Sequence, residues 1–300
     1  MAAIAQKFWK LEGPTWILAV AVYGAWFLLI WYHALIPWWL MIPLGGYVVA
    51  WQFSLQHETI HGFRGVPAWF RFVIAFPPLG LWFPYPLYRK SHSTHHRNRY
   101  LTVPETDTES YYVRQADWAR ASRISKGTLL INQTLVGRLL IGPLLRLWKL
   151  GRSEIARVRG GDYSHLPHWG IHVLAVGALF WIVSGVAAMP WWQYVLLLAY
   201  PGMSLGLLRA FIEHRASPRV GERTASVESN TAFGLLFLYN NIHIVHHLKP
   251  TMPWYEIPRF YRENRDKILD HNSHFVFRGY GEIAQKYLFR PVFHPAHPTL

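Results

Sequence analysis

A chain of 300 residues that is 52% hydrophobic, with 16 Trp, 16 Tyr and 17 Phe, carries more apolar and aromatic mass than a water-soluble domain of its length needs. Its 30 Lys and Arg against 16 Asp and Glu give a formal net charge of +14, and it has no cysteine, which excludes disulfides, thiolate nucleophiles and Cys-ligated zinc or iron–sulfur sites. No basic stripe interleaved with aromatics forms a soluble module, so nucleic acid is not the expected partner of that charge.

From the N-terminus, residues 14–56 contain no Lys, Arg, Asp or Glu, and neither do residues 168–208. Each stretch is about twice the roughly 20 apolar residues that one membrane-crossing helix needs. Each therefore reads as a helical hairpin, turned at His33–Pro37 and at Ala188–Pro190, with Trp and Tyr near the turns where a bilayer boundary falls. The expected spans are about 14–33, 37–56, 169–188 and 190–212. Two cations, Lys7 and Lys10, precede the first hairpin, 16 lie from Arg64 to Arg159, 12 lie from Arg209 onward, and the hairpins hold none. The positive-inside rule then puts both termini and the segment between the hairpins in the cytoplasm. The first apolar run is too long for the core of a cleaved signal peptide. The expected fold is an all-α membrane protein, a single domain over 1–300, with four transmembrane helices in two hairpins and a cytoplasmic helical cap made of 57–168 and 213–300.

Histidines punctuate the cap. The first hairpin runs into His57-Glu58-Thr59-Ile60-His61, which fits the H-E-x-x-H pattern of zinc hydrolases with Glu58 as general base. Residues 66–88 are apolar but broken by five prolines and Arg71, as in a re-entrant or interfacial segment, and they lead to His92-Ser93-Thr94-His95-His96. Residues 129–150 are apolar with Arg138, Arg146 and Lys149 spaced as on one polar face, which predicts a single amphipathic helix in the membrane plane. His214 follows the fourth span, and "NNIHIVHH" supplies His243, His246 and His247. A turn and a cytoplasmic helix starting near Ile257 or Pro258 come next.

Residues three and four apart share a helix face, so each cluster aims its imidazoles one way, and all lie on the cytoplasmic side by the charge argument. A hydrolytic zinc takes three protein ligands, so the first motif needs one more residue and is offered seven. Two metals with four or five imidazoles each use all nine, and imidazole suits iron, copper, zinc and nickel alike. A site without carboxylate ligands keeps positive charge and adjustable redox behaviour, which suits activation of dioxygen beside an unreactive C–H bond.

The order H-x-x-x-H, H-x-x-H-H and a distant H-x-x-H-H, each box at the edge of paired hydrophobic hairpins, resembles the integral-membrane fatty acid desaturase and hydroxylase superfamily over about residues 14–255. The resemblance implies a di-iron centre held by His57 and His61, by His92, His95 and His96, and by His243, His246 and His247, with His214 at the place of a ninth ligand. It implies an oxidoreductase that desaturates or hydroxylates a fatty acyl chain with O2 as co-substrate. Carotenoids and small amphiphiles are alternative substrates. Electrons would come from a separate ferredoxin-type or similar donor, whose acidic surface would suit the basic face. The compact chain points to a bacterial inner membrane.

Acyl-CoA desaturases have an asparagine one turn before the ninth histidine; here Ala210 stands there, and Asn240 or Asn241 is the candidate substitute. The run "HHRNRYLTVPETDTES" resembles the acidic segment that follows the second box. In this reading Glu58 accepts from an imidazole N–H instead of acting as a base, and Asp107, Glu109, Glu213 and Glu228 are further candidates for that task. His33, His165, His168, His172, His271, His274, His294 and His297 are assigned no metal. A zinc membrane protease is the rival enzyme. A histidine-rich metal transporter would need polar groups inside its spans, which these lack.

Overall fold

The computed structural model describes residues 8–63 and 65–298, so Lys7 and Arg64 of the charge count lie outside the described residues. The chain is mostly helical and groups into two compact units, each built from two separate stretches: Met1–Arg89 with Pro143–Gly206, and Lys90–Gly142 with Leu207–Leu300.

In the first unit the helix Gly13–Trp31 opens with Pro14, whose missing N–H falls where helical amides have no partner anyway. Tyr32 ends it, the single turn His33–Leu35 follows, and the helix Trp38–His61 starts after Pro37, so the first expected turn lies where proline and histidine mark it. The helix Leu166–Phe180 widens into a π-helical turn, Trp181–Val186, and the chain turns at Ala188, which takes a left-handed φ of 56°. The return runs as Trp191–Tyr194, a second π-helical turn Val195–Ala199, and Tyr200–Ala210. Two helices, Gly13–Trp31 and Leu166–Val186, are long and apolar enough to cross a membrane. Ile17, Val20, Val173 and Leu174 are exposed on them, while Trp26, Ile30, Val49, Val183, Tyr194 and Leu198 form the core. Two glycines permit the close packing: a Cβ on Gly45 would stand 2.6 Å from Leu198, and one on Gly46 2.8 Å from Pro201.

The proline-broken segment becomes the short helix Ala68–Ala75 and an irregular stretch from 76 to 84. Its carbonyls are met one by one from neighbouring helices. Tyr23 donates its hydroxyl to the Ile74 carbonyl, Gln56 Nε2 donates to Ala75 (2.8 Å), Gln52 Nε2 to Pro77 (2.9 Å), and Tyr194 to Leu79 (2.8 Å). His172 Nε2 lies 2.9 Å from the Leu81 carbonyl, and Trp26 Nε1 donates to the Tyr194 oxygen (3.0 Å). Irregular backbone among apolar helices persists only with such partners.

The second unit begins within the helix Tyr85–Arg97 and continues through a loop from 98 to 114 to the helices Gln115–Arg120, Arg123–Asn132 and Leu135–Leu140. The single amphipathic helix expected over 129–150 is thus divided. Thr134 accepts the Gly137 N–H (3.0 Å) and starts a new helix, and another begins at Gly142, with Pro143 next. Arg138 does not sit on a polar face but is 1% exposed, its Nε donating to the Asn132 carbonyl (3.0 Å) and its guanidinium lying over the Tyr111 ring. Downstream come the helices Thr231–Leu236, His243–Leu248, Ile257–His271, which begins where expected, and Tyr280–Tyr287. Ser226–Val227 and Val276–Phe277 pair as a parallel two-stranded ladder, a small exception to the all-α expectation.

Candidate metal centre

The first box closes the helix Trp38–His61. His57 and His61 stand one turn apart with ring centroids separated by 5.2 Å, and both His57 and Glu58 are buried.

In the second unit the other two boxes occupy helical turns, so each aims its histidines along one face. His214 follows the helix Tyr200–Ala210 and is held by a β-bridge to Thr224, its Nδ1 3.3 Å from the Arg223 carbonyl. Seven histidines of this unit fall into two groups, His92 with His96 and His246, and His95 with His214, His243 and His247; within each group the ligand atoms lie within 4.8 Å of one another. Both helices serve both groups.

The nitrogens that face each other are all Nε2. His92 and His96 approach to 3.1 Å, His96 and His246 to 2.9 Å, His214 and His243 to 3.1 Å, and His243 and His247 to 3.1 Å. The opposite edges of three rings are occupied: Glu109 meets His92 Nδ1 at 3.0 Å, Asp107 meets His95 Nδ1 at 2.7 Å, and Glu213 lies 3.3 Å from His243 Nδ1. A carboxylate at Nδ1 fixes the proton there and leaves Nε2 a lone pair. Nε2 atoms gathered at these distances match ligands about 2.1 Å from one cation, which stand about 3 Å apart. The donor set therefore fits a metal ion in each group.

The profile of the fatty acid desaturase family matches residues 35–279. The chain belongs to that family. A search of curated proteins finds no match. Desaturases of this family are membrane-associated, iron-using oxidoreductases that act on lipid, and the histidine groups fit their metal site.

Within this family member burial favours neutral imidazoles, with His95 the exception. Burial depresses His214 to about 3, helped by the neighbouring His95. Burial likewise pushes His243 and His247 well below the ordinary imidazole value. His95 departs in the other direction: burial acts downward, but Glu109 and Asp107 outweigh it and raise the group to about 9. Burial pushes the Asp107 carboxyl up, but the bond to His95, the charge of that ring and the Thr102 and Glu109 N–H groups together hold it below the usual carboxylate value. Glu213 is raised by burial, against the pull of Arg209, with which it pairs at 2.9 Å.

Of the acidic candidates, Glu228 lies elsewhere: it accepts from Tyr261 (2.8 Å) and Arg265 (2.6 Å). Asn241 donates Nδ2 to the Val227 carbonyl (2.7 Å), and both Asn240 and Asn241 are buried. Among the described residues, the two groups do not include the eight other histidines. His165 pairs with Glu154 (3.1 Å), His294 packs on Trp118, and His297 lies 3.0 Å from Thr102 Oγ1, far less exposed than a polar tail suggests. Sequence reasoning missed Arg209 and Arg223. The i, i+4 spacing of Arg209 to Glu213 was readable, whereas nothing local signalled that Arg223 would cap the Leu101 and Ser217 carbonyls (3.0 and 2.6 Å).

Proposed function

We propose that this family member is a single-domain, four-span membrane enzyme that desaturates or hydroxylates an unactivated position of a fatty acyl chain, with carotenoids or small amphiphiles as the alternative substrates. The observation that carries the reading is the pair of all-histidine groups whose Nε2 atoms face inward while carboxylates hold the outer edges. His57, buried, and His61, half-buried, close a helix and come first in the box order; they serve as the first-box ligands, and Glu58 steadies one of their rings. Trp38–His61 and the helical run from Trp191 to Ala210 supply the remaining two spans. Both termini and the metal centre face the cytoplasm of a bacterial inner membrane.

When bound, a pair of irons supplies the oxidising power, drawn from O2, that breaks an unactivated C–H bond. Both outcomes consume O2, two electrons and two protons: loss of two hydrogens yields an alkene and two waters, whereas oxygen insertion yields an alcohol and one water. The electrons enter from a separate ferredoxin-type donor drawn to the basic face. The chain's own residues orient the imidazoles: burial keeps His92, His214, His243 and His247 neutral, and Asp107 and Glu109 hold the outer ring nitrogens of His95 and His92.

The test compares lipid and metabolite masses in cells with and without the gene, beside metal analysis of the purified protein. A product lighter by two hydrogens or heavier by one oxygen, with about two irons per chain, is expected from the two groups. Unchanged lipids, one zinc and a peptidase activity lost in Glu58→Gln would reverse the reading in favour of the zinc protease.

A further inference from the structure

The carboxylates that hold His92 and His95 both come from one turn of chain, and that turn is tied down from the far end of the sequence. Asp107 uses one oxygen on His95 and on the Glu109 N–H (2.9 Å), and its other oxygen accepts from the Thr102 N–H (2.8 Å). Thr102 is the anchor. It has a left-handed φ of 76°, a conformation that β-branched residues rarely adopt unless the surroundings impose it. Its carbonyl accepts from Ser110 Oγ (2.6 Å), and its hydroxyl meets His297 Nε2 at 3.0 Å.

His297 is itself fixed, 1% exposed, against the edge of the Tyr112 ring. Its N–H donates to the Val113 carbonyl (2.9 Å), its carbonyl accepts from Gln115 Nε2 (3.0 Å), and Val113 donates back to the Pro295 carbonyl (2.9 Å). These tail residues lie outside the stretch that the family profile covers.

We propose that His297 is a positioning residue for the metal centre: by gripping the Thr102 hydroxyl, the C-terminal tail holds the 102–110 turn that presents Asp107 and Glu109 to His95 and His92. The inference rests on the reading of those two carboxylates as partners of metal-binding histidines. One histidine of each group is steadied this way, so loosening the tail weakens the hold on both ions.

The experiment measures iron retained by the purified full-length protein over a chelator titration, with thermal unfolding followed in parallel. Asp107→Asn is the reference, and a loss within the 10–100-fold range of outer ligand partners confirms the underlying reading. His297→Ala and Thr102→Val are each expected to weaken retention about tenfold, Thr102→Ser and His297→Gln to restore most of it, and the double variant to be no worse than either single one. Retention that drops in Asp107→Asn but not in His297→Ala or Thr102→Val overturns the proposal alone. Retention unchanged in all three overturns the reading beneath it. Should His297→Ala unfold the protein, Thr102→Val and Thr102→Ser decide: equal retention in both refutes the proposal, and a loss confined to valine supports it.

Discussion

Two irregular stretches, 76–84 in the first unit and 98–114 in the second, solve one problem with different chemistry. The first, with the helix end that leads into it at Ile74 and Ala75, is surrounded by apolar helices and is held by phenols, amides and an imidazole, all neutral, from Tyr23, Gln52, Gln56, Tyr194 and His172. The second is held by the carboxylates of Asp107 and Glu109, which in turn hold histidines. An ion buried in apolar surroundings costs far more than a neutral donor, so charge is confined to the stretch where imidazoles and cations repay it. On the proposed function the roles separate along the same line: the charged loop serves the metal centre, and the neutral strap serves the fold.

That division can be broken by experiment. The largest effect should come from a ligand beside the charged loop: His95→Ala or His243→Ala is expected to lower product formation by more than ~100-fold and to strip iron, read by product mass and metal analysis, since loss of a ligand exceeds loss of its outer partner. Glu109→Gln, which keeps shape but loses charge at His92, should weaken iron retention about 10–100-fold with little change in melting temperature. In the neutral strap the readouts exchange places. Gln56→Leu leaves the buried Ala75 carbonyl without its donor and should cost about 1–3 kcal/mol in denaturant unfolding, with iron content unchanged. Iron loss in Gln56→Leu without loss of stability would erase the distinction.

The smallest expected effect is one of pH. Burial, and then the charge of Arg223, hold His297 below the ordinary imidazole value, with Glu105 opposing, while Thr102 and Tyr112 contact it. A depressed imidazole adds stability that is complete above about pH 6.5 and is lost as acid approaches its lowered folded value, because the undocked tail takes up the proton more readily. The protection of residues 291–298 against hydrogen exchange, relative to their intrinsic rates, should therefore fall between pH 7 and pH 5, ahead of that of the helices that carry the boxes.

Much of this was legible in the sequence because it is periodic or punctuated. The helices of the first unit, the turns at His33–Pro37 and at Ala188–Pro190 and the helix starting at Ile257 follow from uncharged runs and prolines, and the histidine boxes from their i, i+3, i+4 spacing. What stayed hidden depends on partners distant in the chain. Gln52 and Gln56 are two amides in an apolar helix, and nothing nearby says which carbonyls they meet. Glu228 matched Asp107 and Glu109 as a sequence candidate, but Arg265, 37 residues away, claims it. The 129–150 helix failed because an apolar period with spaced arginines does not reveal a threonine cap or an arginine turned inward onto an aromatic ring. Two-residue strands are too short to leave a pattern.

The box-two and box-three helices each donate to both histidine groups: His92 and His95 lie three residues apart on one rod, His246 next to His247 on the other. Seating an ion in either group therefore immobilises the same two rods that the neighbouring group needs, so the second ion meets a scaffold whose entropy has already been lost. Loading should be cooperative, with singly filled molecules scarce at intermediate iron concentrations.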